Sequence, residues 1–73
     1  MLETVERLAE LHIKYTRIRE LAEIAWGRVR TKPEMRLKAR IYEKARKVLS
    51  AEIRRLELLL DAELMTDEAK KGL

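Results

Sequence analysis

From Pro33 to Met65, apolar side chains return at helical spacing with no Gly or further Pro to interrupt them, and this run limits the fold most. At 100° per residue, Tyr42, Ala45, Leu49, Ile53, Leu56, Leu60 and Leu64 fall on one side of a helix. Ile41, Val48 and Leu59 widen that side into a broad apolar face. The stripe steps by 3, 4 and 4, a mean of about 3.67, which suits a straight helix in a short bundle better than a left-handed coiled coil. One helix of this length with one greasy face needs a partner, and the N-terminal third of the chain is built to be that partner.

Leu8, Leu11, Tyr15, Ile18, Ala22, Ala25 and Val29 alternate in steps of 3 and 4, the seam of a packed helix. Leu21, Ile24 and Trp26 broaden it in the last turns. Glu3/Arg7 and Glu10/Lys14 stand at i,i+4 in the favourable order, worth about 0.3 kcal/mol each. Gly27 can supply a left-handed C-cap, or the helix runs on to Arg30. Thr31-Lys32-Pro33-Glu34 then reads as a helix start: a capping box from Thr31 to Glu34, with Pro33 in the first turn. Residues 1–73 are therefore expected to be one all-α domain, an antiparallel two-helix hairpin. Helix one spans about 2–28, the turn about 28–32, helix two about 33–65, and a short helical turn or tail 66–73, with Thr66 as an N-cap and Gly72 as a C-cap.

Composition removes most function classes. The chain has 73 residues, no Cys and a single His, so disulfides, thiolate metal sites and His-rich sites are not expected, nor is any cofactor. Ser50 is the sole Ser and lies on the other helix from His12, so no nucleophile–base pair forms and no catalytic residue is assigned. No apolar run approaches a membrane span, and the acidic N-terminus lacks the apolar core of a signal peptide. A cytoplasmic, non-membrane protein is the expectation. Charged residues make up 41% of the chain while Asn, Gln and Cys are absent, the compositional habit of hyperthermophile proteins.

The net charge of +4 conceals a strong gradient. Residues 1–27 carry 4 Lys/Arg and 5 Glu, residues 28–55 carry 11 and 3, and residues 56–73 carry 2 against 5 acids. Within the middle segment, Arg36, Arg40, Lys44, Lys47 and Arg54 lie roughly opposite the apolar face, inside an arc of about 80°. Arg36/Arg40 and Arg40/Lys44 are like-charge i,i+4 pairs, each costing about 0.2–0.5 kcal/mol in an isolated helix. A lattice built for stability would alternate signs there; only Glu43 does so. Arg28, Arg30 and Lys32 extend the positive region around the hairpin tip. Arg outnumbers Lys ten to seven, and its planar fork suits phosphate. These eight residues are the expected nucleic-acid surface, for RNA or DNA.

The surplus of apolar surface is the second signal. A lone helix pair cannot cover Leu21, Ile24, Trp26, Leu37 and the Leu56–Leu60 run, and Leu58 points toward the basic side. Leu21, Ile24, Trp26, Tyr42, Leu49, Ile53, Leu56, Leu60 and Leu64 are the expected protein interface. Closure as a four-helix bundle, through a homodimer or a companion protein, follows from it. Trp26 fits the core better than a base-stacking role.

Arg17-Ile18, Leu21 and Ala25, then Pro33-Glu34, then Ala39-Arg40-Ile41-Tyr42 resemble the N-terminal helical hairpin of the zinc-ribbon protein subunit of archaeal and eukaryotic ribonuclease P. The resemblance covers about 26 of the 73 residues. It stops at the hairpin, because that family's four zinc-binding Cys have no counterpart here. It implies a non-catalytic RNA-binding accessory subunit whose hairpin packs on a companion protein. Arg40 would then be an RNA contact, and Leu21, Ala25 and Tyr42 would lie in the protein-facing seam. The competing expectation is a structural bundle or adaptor with no nucleic-acid role.

Overall fold

In the computed structural model, two helices account for nearly the whole chain: α1 (Leu2–Arg28) and α2 (Met35–Lys71). The backbone is described for residues 1–71 and side chains for residues 1–67, so Gly72 lies outside the described residues. There is no strand among them. The helices lie side by side as a hairpin. Met1 and Thr4 meet Glu63 and His12 meets Glu57, so positions climbing α1 pair with positions descending α2, while the long Arg7 side chain reaches further along to Glu52. The result is a rod of 63 × 14 × 13 Å. Its radius of gyration is 17.5 Å, against about 11 Å for a compact domain of this length.

Burial follows the α1 seam read from sequence. Leu8, Leu11, Ala22 and Ala25 are buried, and Tyr15, Ile18 and Val29 are half-buried. Leu8, Leu11 and Ile53 form the core cluster, flanked by Tyr15, Leu49, Leu56 and Leu60. Nearer the turn the core changes character. Ala22, Ala25 and Ala39 are all but inaccessible there, at 1, 1 and 0%. Small side chains let two backbones approach closely, as the short turn between the helices requires.

The α2 seam differs from its apolar stripe. Among the residues sheltered on α2, Met35, Ala39, Tyr42, Arg46, Leu49, Ile53, Leu56, Leu60, Glu63 and Asp67 recur in steps of 4 and 3. That is the rhythm of α1, so the mismatch expected between the helices is absent at their contact. Hydropathy misreads the seam because Arg46 and Glu63 occupy two of its positions. Arg46 pairs with Glu43 at 3.1 Å, and Glu63 accepts from the Thr4 hydroxyl at 3.1 Å and holds the N-terminal ammonium at 3.3 Å. Long polar side chains can lay an apolar stem on a seam and satisfy the charged end at its edge. Leu64, assigned to the stripe, is 41% exposed.

The turn also corrects the capping scheme. α1 does not end on Gly27. No described residue adopts positive φ, and Val29 closes the helix in ordinary right-handed geometry. The Arg28 carbonyl accepts from the Lys32 N–H (2.8 Å), the Thr31 N–H (3.2 Å) and the Thr31 hydroxyl (3.2 Å). Thr31 therefore caps the end of α1 and not the start of α2, and no capping box with Glu34 forms. Pro33 and Glu34 stay in the turn. The Met35 N–H donates to the Lys32 carbonyl and the Arg36 N–H to the Pro33 carbonyl, and the helix begins two residues later than expected.

No second break occurs at Thr66. Its hydroxyl donates to the Ala62 carbonyl one turn back, a bond available only inside a continuing helix. α2 consequently outruns α1 by about 12 Å, counted from Glu63, the partner of Met1. The expected pairs within α1 do not close either: Arg7 crosses to Glu52, at 3.1 Å.

Gly27 is helical with open space where a Cβ would sit. Gly27→Ala is expected to raise stability by about 0.5–1 kcal/mol, read from urea denaturation followed by circular dichroism. A loss of stability would mean that the residue needs its glycine conformation. Ala39→Leu should lower stability by about 1–3 kcal/mol through overpacking, while Ala51→Leu on the exposed side leaves it within experimental error.

Candidate functional site

Two surfaces stand out on the rod. The first is the basic row. Arg36, Arg40, Lys44, Lys47 and Arg54 are all exposed, as are Arg28, Arg30 and Lys32 at the turn. From Arg36 to Arg54 the row runs about 27 Å along α2. None of these eight residues forms an ion pair among the described residues, where the pairs are Met1–Glu63, Arg7–Glu52, His12–Glu57 and Arg46–Glu43. Glu43, the one carboxylate within the row, is engaged by Arg46. Lys44 and Lys47 therefore gain nothing from it. The helix holds an uncompensated line of positive charge against its own repulsion.

The second surface is apolar. Ile18 and Leu21 of α1 and Ile41, Ala45, Val48 and Leu49 of α2 form the floor of a groove of about 650 Å³ along one flank. Lys14, Arg17 and Lys44 stand around it. Of the floor residues, Ile41 and Val48 are the most open, at 57 and 60% exposed. Only Leu21 and Leu49 of this floor were among the expected interface residues. Ile41 and Val48 had been seen as the margin of the α2 stripe. Leu37, Leu58 and Met65 add further exposed apolar surface on α2, and Ile13 does so on α1.

The remaining interface candidates divide by location. Leu49, Ile53, Leu56 and Leu60 pack against Leu8 and Leu11 inside the hairpin, so their burial is largely spent within the chain. Tyr42 is half-buried on the same seam and carries the Lys38 ammonium 5.9 Å from its ring centroid. Leu21 lines the groove. Ile24, Trp26 and Leu64 remain exposed at 51, 41 and 41%. Trp26 is thus not a core residue of the hairpin, contrary to the reading from its position in the stripe. The α1 seam passes through Ala22 and Ala25, and the indole falls beside it.

No buried polar side chain occurs among the described residues, and no cluster of three or more His, Asp or Glu that could hold a metal. No described helix is long and apolar enough to cross a membrane. Set beside protein-family models, curated proteins and solved structures, the chain matches none of them.

The basic row can be checked for its cost. Arg40→Glu converts two repulsive i,i+4 neighbours into attractive ones, so it should stabilise the hairpin by about 0.5–1 kcal/mol at low salt. The gain should fade as salt screens it. A drop in the thermal midpoint would show that Arg40 already has a stabilising role.

Proposed function

We propose that this protein is a non-catalytic, nucleic-acid-binding helical hairpin, acting as an RNA-binding accessory subunit of a ribonucleoprotein of the ribonuclease P kind. The observation that carries the reading is the basic row: eight exposed cations without an ion-pair partner among the described residues. Stability does not account for it, since adjacent like charges on a helix oppose folding. A polyanion does. Phosphates spaced along a backbone neutralise the row and release their condensed counterions. Arg28, Arg30 and Lys32 carry the surface around the turn, Arg36, Arg40, Lys44, Lys47 and Arg54 along α2. The residues shared with the ribonuclease P hairpin include Arg40 on this row.

In the same reading, the exposed apolar side chains pair with protein, and the hairpin is completed as a four-helix bundle by a second copy or a companion subunit. A second reading, a structural bundle or adaptor with no nucleic-acid role, is favoured by one specific observation. Thirteen large hydrophobic side chains among the described residues are exposed, and they offer apolar surface to a partner whether or not the cations bind anything.

Binding of short RNA and DNA, followed by fluorescence anisotropy across a salt series, separates the two. Affinity should fall with salt with a log–log slope of roughly −4 for contacts along the five-residue row. The double variant Arg36→Glu, Arg40→Glu should lose binding by at least tenfold with unchanged helicity. Wild-type affinity in that variant removes the row from the contact, and no salt-sensitive binding by the parent protein favours the adaptor.

A further inference from the structure

The charge of the folded rod is divided between its ends. Residues 1–13 and 56–71, on the side of the open end, carry net −5, whereas residues 14–55, which form the turn end, carry net +9. The division also runs along the grooved flank. On α1, Glu3, Glu10, Lys14 and Leu21 point within about 40° of one another. On α2, Ile41, Val48 and Leu59 agree within about 20°. One flank therefore reads, from the open end, as two acids (Glu3, Glu10) and one cation (Arg55) beside an exposed Leu59, then as the apolar groove edged by the three cations Lys14, Arg17 and Lys44. Glu3, Glu10, Lys14, Arg17 and Lys44 are exposed and none enters an ion pair within the hairpin.

We infer that this flank is a self-complementary surface and that its occupant is a second copy of the chain, laid antiparallel. In that arrangement the open end of one copy covers the groove of the other. Leu59 meets Ile41 and Val48, and Glu3 and Glu10 face Lys14 and Arg17, twice over, as a two-fold axis requires. A parallel pair would oppose like ends. Area agrees with this occupant. The hairpin exposes 6168 Å², whereas a compact monomer of 8.7 kDa exposes about 4,700 Å². The excess is more than the ~800 Å² that a standard interface removes from each partner, so the open flank has area enough for a second copy. Arg36, Arg40, Lys47 and Arg54 are turned more than about 80° away from the flank and stay outside the dimer. The inference specifies the bundle completion proposed above and is independent of whether the outer row binds nucleic acid.

Light scattering should give twice the 8.7 kDa chain mass for the parent protein. Ile41→Glu with Val48→Glu, both at exposed positions, should give the single mass while circular dichroism shows the helices retained. Lys14→Glu with Arg17→Glu should weaken the dimer at least tenfold, and adding Glu3→Lys and Glu10→Lys should restore it. The absence of Cys allows single spin labels. Lys32→Cys labels at the two turns should lie roughly 50 Å or more apart in the antiparallel dimer, and under roughly 25 Å in a parallel one. A folded monomeric parent, a short turn-to-turn distance, or a dimer indifferent to the Ile41 and Val48 substitutions would each overturn the inference. A dimer indifferent to those substitutions would still leave bundle completion standing by another face, and the RNA titration is read separately from all of these.

Discussion

The single strip of contact between α1 and α2 is the constraint on which everything else rests. A two-helix hairpin has one interface, so each helix can shelter only one seam. Leu8, Leu11 and Ile53 fill it in the open half and Ala22, Ala25 and Ala39 in the turn half. Burying a Leu or Ile is worth about 1.5–3 kcal/mol, and only these three are close to fully covered. The alanines contribute less burial, but they let the backbones converge on a short turn. No buried polar group among the described residues specifies the register; the cross-helix contacts at Glu63, Glu52 and Glu57 lie at the edges of the seam.

The economy of that core explains the outer surfaces. Apolar residues that miss the seam are left largely in water where no neighbour reaches them, and Ile41, Val48 and Leu59 are open although they belong to the same broad apolar face as Ile53. Charge is distributed with equal inequality. Three acids of α2, Glu52, Glu57 and Glu63, are drawn into cross-helix contacts, while the cations of the basic row have no ion-pair partner among the described residues. A surface with apolar and cationic flanks that share only Lys44, at the groove's edge, can engage a protein and a polyanion at once.

Much of this was legible in the chain itself. The α1 seam appears in the spacing of Leu8 through Val29, and all of its members are sheltered. The cationic row and its lack of acidic neighbours can be counted directly. The all-helical hairpin follows from long apolar repeats on either side of Pro33. What could not be read were the places where a polar atom had more than one use. Thr31 could cap either helix, and the Arg28 carbonyl won it. Thr66 could open a new helix or bond back within the old one. Arg7 could pair along α1 or reach across, and Glu52 was the better placed partner.

The sequence by itself determined that two long helices form, that the chain turns between them near Pro33 and where the charge lies, because periodicity and composition are local properties carried by each segment alone. Only the tertiary structure decided which apolar residues are core and which are surface. A stripe of 3.67-residue spacing and a seam of heptad spacing drift apart along one helix, and the line actually buried is set by the neighbour's position. That choice put Arg46 and Glu63 into the seam, moved Leu64 and Trp26 out of it, and left the groove at Ile41 and Val48 open.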